Sequence, residues 1–409
     1  MGDRRLLVAG RLLTPDGVVE GGACVEVEDG YVARLGVRAG IEAAPGMPVD
    51  DFGEEAWLAP GYVDLQVNGG GGSDLMAGAG ALAVAGRAHL ARGVTAWCPT
   101  VITAPRDALL RALDDLSRDL ERADPATLPA CLGLHVEGPF IAHGARGVHD
   151  PGALRDPDLA EVDAWQAAAR GRVRLVTLAP ERRDALAAVR GLVSHGIAVS
   201  IGHTEATAEQ VRAAADAGAR LVTHTFNGMR GLHHREVGPV GMALLDERLH
   251  PAIIPDGLHV GADALRLFHR LAGSRHRSGR GFLVTDAASP AGLPAGATGT
   301  FTIGGRPVAY AAGRVTDEAG RLAGSALTMD AAAATYARLA GASPESALRM
   351  ATERPARALE AGLAAGPGAA ASPLASAGRL VVGGPADLVA VGPDLALLAV
   401  YRLGRRVGV

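Results

Sequence analysis

At 409 residues the chain is long enough for a large core and for two or three domains. Its residues are 48% hydrophobic and 21% charged, and its net charge of −4 gives no general attraction for nucleic acid or anionic membrane. No stretch approaches the roughly 20 apolar residues that a membrane-spanning helix requires, and no small-residue cleavage site follows the arginines near the N-terminus. The three cysteines, Cys24, Cys98 and Cys131, are too far apart for a CxxC metal site or a disulfide framework. They are expected to be buried free thiols in a reducing cytoplasm. All 40 basic residues are arginine. Without a lysine amine, Schiff-base aldolase and pyridoxal-phosphate chemistry are excluded, as is a metal site bridged by a carboxylated lysine.

In chain order, the segment through Trp57 predicts short strands at Leu6–Val8, Cys24–Val27 and Tyr31–Leu35, divided by turns at Pro15–Gly17 and Asp29–Gly30. The middle predicts something different. Apolar runs at Ala130–Val136, Val173–Leu178, Ala198–Ile201, Arg220–Val222 and Phe282–Val284 each precede an alanine-rich segment. Helices are expected at Asp184–His195, Ala206–Ala217, Ala262–Leu271 and Thr328–Leu339. Repeated strand-then-helix units imply a parallel sheet, and about eight of them suit a (β/α)8 TIM-like barrel better than an open sheet. Residues 361–376 are low in complexity and read as a returning loop. Arg379–Val409 then repeats the short-strand texture at Leu380–Val382, Leu388–Val391 and Val400–Leu403. Neither chain end has enough strands to be stable alone, so the two are expected to pair into one small β-sandwich domain. The expected organisation is 1–57 and 378–409 for that domain and 58–377 for the barrel.

In such a barrel, chemistry belongs at the C-terminal ends of the strands. Glu137 follows Cys131–Val136, His203 follows Ala198–Gly202, and His224 follows Leu221–Thr223. His259 lies beyond the run Ala252–Ile254, and Asp286 follows Phe282–Thr285. Two imidazoles and a carboxylate are the usual ligands of a catalytic zinc, and the same set holds ferrous iron. Glu137, His203 and His224 are therefore the expected ligands, with Asp286 as the base toward water. His135 shares a strand face with Glu137 and is expected to be structural, with a backing role as the alternative. His89, His195, His250, His269 and His276 are expected on solvated helices or loops, and His233 and His234 to shape the loop around Arg235.

These residues sit in ordered motifs: LAPGYVDLQVNGGGGSD (58–74), GLHVEGPF (133–140), GHTEAT (202–207), THTFNGMRGLHHREVG (223–238), PDGLHV (255–260), LVTDAASPAGLPAG (283–296), LAGSALTMD (322–330) and GRLVVGGPADLVAV (378–391). Together they resemble the amidohydrolase superfamily, and within it the N-acetylglucosamine-6-phosphate deacetylases. The superfamily's His-x-His pair on the first strand is here Gln66-Val67-Asn68, which resembles the subgroup with a single metal ion. The resemblance implies one divalent ion per subunit, zinc or ferrous iron. It also implies a small phosphorylated amino sugar as substrate, with N-acetylgalactosamine 6-phosphate or another N-acetyl amino sugar as the rival. A non-catalytic scaffold on the same fold is the remaining alternative.

Residue by residue, the resemblance makes His149 a partner of the acetyl carbonyl and gives substrate contacts to Val148, Asn227, Gly228, Asp256, His259, Leu322, Ala323 and Gly324, while Gln66 and Asn68 are expected to hydrogen-bond the substrate or the metal-bound water. It places Arg235 on the phosphate from across a homodimer interface. A guanidinium fork suits phosphate geometry. Two positions depart from the pattern: Gly228 replaces the usual alanine, and Pro255 the usual alanine or valine.

Overall fold

The structure is a computed structural model that describes residues 4–41, 43–274, 279–363 and 373–408. Both chain ends join one eight-stranded sheet. Arg4–Thr14 pairs antiparallel with Gly17–Glu28, which pairs with Tyr31–Val37. Trp57–Pro60 lies parallel to the first strand and antiparallel to Leu388–Val391, which continues into Leu397–Arg402 and Arg405–Val407. The sheet folds back on itself, because Val32 of one edge strand exchanges backbone hydrogen bonds with Gly383 and Gly384. One apolar core, including Leu7, Val25, Val32, Leu58, Leu388 and Tyr401, fills the space between the facing halves. Leu380–Val382, expected as a strand, is not one; the chain turns there through Gly383, with a φ of 82°. Leu380 still reaches the core, whereas Val382 is 64% exposed.

Eight parallel strands form the barrel: β1 (Tyr62–Val67), β2 (Val94–Ile102), β3 (Leu134–Glu137), β4 (Val173–Leu178), β5 (Ala198–Ile201), β6 (Leu221–Val222), β7 (His250–Ile253) and β8 (Phe282–Leu283). Ala130–Cys131 adds a two-residue rung on β2 before β3 begins. Closure runs through the parallel bridge between Val67 and Ala287, where the amides of Asn68 and Gly69 both donate to the Ala287 carbonyl. Asp64 tightens the seam by accepting from the Thr285 hydroxyl at 2.5 Å and from the Thr285 amide at 3.3 Å.

The expected helices are present within a turn of their expected ends: Ala185–Ser194, Ala208–Ala217, Ala262–Phe268 and Met329–Ala340. The second starts at Ala208 because Thr207 and Gln210 form a capping box, which fixes the first turn. Inside the barrel, Leu175, Ala198, Leu221 and Phe282 make an apolar layer that packs on Ala358 and Leu359 of the helix Glu353–Gly362. An antiparallel three-stranded insert, Gly299–Ile303, Arg306–Ala311 and Arg314–Thr316, follows β8 and was not expected. The loop expected at 361–376 falls mostly outside the described residues, as does His276. Among the described residues no helix is long and apolar enough to cross a membrane. Cys24 and Cys98 are buried free thiols and Cys131 is partly buried.

Candidate active site

Parallel strands deliver their C-terminal ends to one face, so Glu137 at the end of β3 shares that face with the residues just beyond β5, β6 and β8. His203, His224 and Asp286 each adopt the left-handed conformation, with φ of 48°, 23° and 49°. This geometry costs a residue with a Cβ about 1–3 kcal/mol. The surrounding chain imposes it: the His203 carbonyl accepts from the Ala142 amide, and the Asp286 carbonyl accepts from the Ser325 amide.

Three donor atoms converge there. Glu137 Oε1 lies 3.2 Å from His203 Nε2 and 3.1 Å from His224 Nε2, and the two ring nitrogens are 3.2 Å apart. All three residues are buried. His203 Nδ1 donates to the Ala145 carbonyl at 2.8 Å, an oxygen that only accepts, so the lone pair of the neutral ring is on Nε2. That lone pair faces a carboxylate oxygen and a second imidazole nitrogen. Such a set repels itself unless a proton or a cation lies among its members, and one carboxylate with two imidazoles suits zinc or ferrous iron. The residues fit a divalent cation. The charges agree: against the effect of burial, the imidazoles of His203 and His224 hold Glu137 well below the usual carboxylate range, and Glu137 raises His224. His149 stands beside this cluster, since Glu137, His149 and His203 each offer a ligand atom within 4.8 Å of the other two.

Asp286 faces the cluster. Its Oδ1 accepts from Asn68 Nδ2 at 2.7 Å and from Gln66 Nε2 at 3.2 Å, while the same Gln66 nitrogen donates to Glu137 Oε1 at 2.8 Å. The two amides in place of the His-x-His pair thus hold one oxygen of each carboxylate. Burial, and then the charge of Glu137, push Asp286 up to about 6. Asn68 Oδ1 is buried without a hydrogen-bond partner.

The cavity above these groups has a volume of about 160 Å3. Of the expected contact residues, Asn68, Val148, His149, Asn227, Gly228, His259, Leu322 and Gly324 line it. Gln66, Asp256 and Ala323 do not. Gln66 lies behind the two carboxylates, and Ala323 is buried against the insert. Asp256 accepts from His259 Nδ1 at 2.6 Å and from the amides of Leu258 and His259, so it orients His259 from behind. Arg235 is exposed, outside the cavity of its own chain. The expectation of solvated surface fails for His89, which is 1% exposed, packs near Trp97 and bonds the Gly69 carbonyl. His250 fails it too, as part of β7.

The amidohydrolase family model matches residues 57–407, which is most of the chain. The chain belongs to the amidohydrolase family. It is 38% identical to an N-acetylgalactosamine-6-phosphate deacetylase from Escherichia coli O157:H7, over 87% of this chain and 89% of that protein. It is 35% identical to an N-acetylglucosamine-6-phosphate deacetylase from Vibrio furnissii, over 90% and 85% of the two chains. A substituted N-acetyl-D-glucosamine-6-phosphate deacetylase from Mycobacterium smegmatis, solved with N-acetyl-D-glucosamine 6-phosphate, superposes with a TM-score of 0.86 over 99% of both chains, at 33% identity.

In this amidohydrolase several site neighbours were missed from sequence. Thr103 Oγ1 lies 2.7 Å from His149 Nδ1 and turns the other ring nitrogen away from itself, while Ile102 and Ile303 line the cavity. Burial, together with the neighbouring His203, pushes His149 down to about 3, so it is neutral at physiological pH. Gly228 has a φ of 57°, and a Cβ there would come within 2.9 Å of His203 Nδ1 and 3.1 Å of the Ala145 carbonyl, so the usual alanine would require these two groups to shift.

Proposed function

We propose that this amidohydrolase is a deacetylase of N-acetylglucosamine 6-phosphate, releasing acetate and glucosamine 6-phosphate with the help of one divalent ion held by Glu137, His203 and His224. The convergence of those three donor atoms within 3.2 Å, opposite Asp286, carries the reading. Zinc is the ion expected from the donor set, with ferrous iron as the alternative. When bound, such an ion supplies Lewis-acid polarisation of the acetyl carbonyl and acidifies water.

The chain's own residues do the rest. Asp286, with Oδ1 held by Asn68 and Gln66, uses Oδ2 to take a proton from the attacking water and later returns it to the leaving amine. His149 lines the cavity and directs a ring nitrogen at the acetyl oxygen, where a well-placed donor is worth roughly 3–4 kcal/mol. Asn227, Gly228 and His259 hold the sugar. The phosphate is met by Arg235 of a second subunit, so the working form is a homodimer. Its exposure outside its own cavity supports that arrangement. The free thiols of Cys24, Cys98 and Cys131 suit a cytoplasmic enzyme.

The deciding experiment compares acetate release from N-acetylglucosamine 6-phosphate, N-acetylgalactosamine 6-phosphate and unphosphorylated N-acetylglucosamine, with ion content measured on the same sample. The first substrate is expected to be fastest and the unphosphorylated sugar slowest. The 38% identity to a galactosamine-type relative supports the second reading, and a faster second substrate would replace the first.

The pH dependence has a definite sign. Asp286 acts as a base only when ionised, so kcat/KM falls on the acid side. The ion-free value is about 6, and a cation nearby favours the carboxylate, which puts the midpoint below that. A profile between pH 4 and 8 checks this. A rate that climbs as pH drops through the range contradicts the base role.

A further inference from the structure

Beneath the ion-binding cluster the barrel interior departs from the usual apolar filling. Two residues along the strands from Leu175, Ala198 and Leu221 come Thr177, Ser200 and Thr223, and with His135 they form a buried polar layer. His135 Nδ1 donates to the Leu65 carbonyl at 3.1 Å, so the lone pair of the neutral ring is on Nε2. Nε2 lies 2.8 Å from Thr177 Oγ1 and accepts its proton. Thr177 in turn lies 2.8 Å from Thr223 Oγ1, and Thr223 lies 2.6 Å from Ser200 Oγ. One backbone carbonyl thus sets the direction of the entire chain: Ser200 donates to Thr223, Thr223 to Thr177, Thr177 to His135, and His135 to Leu65. Thr100 adds a longer contact of 3.4 Å to the same His135 nitrogen, while bonding the Cys98 carbonyl itself.

The placement of the members is the telling feature. Each of the three donors has a link of the chain within three residues before it, on or just beyond the same strand. His135 precedes Glu137 by two residues on β3, Ser200 lies on β5 below His203, and Thr223 immediately precedes His224. Thr177 on β4 joins them across the interior. Buried hydroxyls contribute little unless every one is satisfied, and these are satisfied by one another.

We infer that His135 and the hydroxyls of Thr177, Thr223 and Ser200 are positioning residues: they fix the spacing of Glu137, His203 and His224 and thereby tune the affinity and geometry of the divalent ion. This rests on the ion-binding role proposed above. Groups that orient ligands from behind a metal site characteristically change ion affinity by about 10–100-fold when removed.

The test uses the full-length protein. Thr223→Val cuts the chain while keeping the side-chain shape, Thr223→Ser restores the hydroxyl, and His135→Asn keeps a donor for Leu65 but loses the bond to Thr177. Zinc affinity is measured by competition with a chelator, and the visible absorption spectrum is recorded after cobalt substitution. Thr223→Val and His135→Asn are expected to bind zinc about 10–100-fold more weakly and to alter the cobalt spectrum, with Thr223→Ser close to the unsubstituted protein. Thr177→Val, which cuts a different link, gives the same result and serves if Thr223→Val does not fold. A lower melting temperature with unchanged zinc affinity and an unchanged cobalt spectrum in folded variants would make the layer purely structural and overturn the inference. An unsubstituted protein that binds no divalent ion would instead overturn the ion-binding role itself.

Discussion

Asp286→Asn is expected to lower kcat for acetate release by about 10²–10⁴-fold while the divalent ion stays bound. The substituted side chain can keep its oxygen where Oδ1 now accepts from Asn68 Nδ2 and Gln66 Nε2. Its amide nitrogen then occupies the place of Oδ2 and has no lone pair with which to accept a proton. The proposed ion-binding set of Glu137, His203 and His224 is untouched, so ion content separates loss of the base from loss of the site. Stability gives a second readout. The folded protein raises Asp286 from 3.8 to about 6, so the ionised form is disfavoured by folding. A raised carboxylate contributes stability fully below pH 3.8 and loses it as pH rises through about 6. The neutral asparagine avoids that loss. Ion-free Asp286→Asn should therefore melt higher than the ion-free parent at pH 8, with the difference vanishing below pH 4. Near-normal turnover in this variant would remove Asp286 from the role of base.

The reason the convergence of Asp286, Glu137, His203 and His224 was legible in sequence is geometric. Parallel strands in a barrel point their ends at one axis, so reactive residues following separate apolar runs are brought together without any knowledge of the loops. The strands β4 and β5 were legible to the residue for the same reason that they pack: each is a short apolar run closed by a turn. Other contacts carried weaker signals. Asp64, Gln66 and Asn68 alternate along one stretch, a period-two pattern that points to a shared face, yet Asp64's partner Thr285 lies at the other end of the barrel domain. Gly304–Gly305 between two polar-apolar runs is the signature of a two-residue hairpin, and Ile303 pairs with Arg306 across it, so the insert after β8 had a local signal that went unread. His89 follows Leu82 and Ala85 at helical spacing on a buried face, which marks it as a core histidine. The bond from Thr103 to His149 had no such signal, because a loop decides it.

Glu137→Gln is expected to abolish tight ion binding and, with it, about 4 kcal/mol of transition-state stabilisation, a fall in kcat/KM of roughly 10³-fold. Glu137 Oε1 is the hub of the cluster: it lies within 3.2 Å of both imidazole nitrogens and accepts from Gln66 at 2.8 Å. Glutamine has no negative charge to offset a divalent ion. If it presents its amide nitrogen to the two rings, it donates directly to their lone pairs and fills the position the ion would take. The size is nearly unchanged, so the barrel is expected to fold, and circular dichroism should match that of the parent. Melting curves make the distinction quantitative. An ion that binds only the folded state stabilises it by an amount that grows with ion concentration, about 4 kcal/mol at a thousand times the dissociation constant. Added zinc should therefore raise the melting temperature of the parent and leave that of Glu137→Gln almost unmoved. Equal zinc-dependent shifts in the two proteins would place the ion elsewhere, and the convergence of Glu137 with His203 and His224 would then be a structural hydrogen-bond cluster.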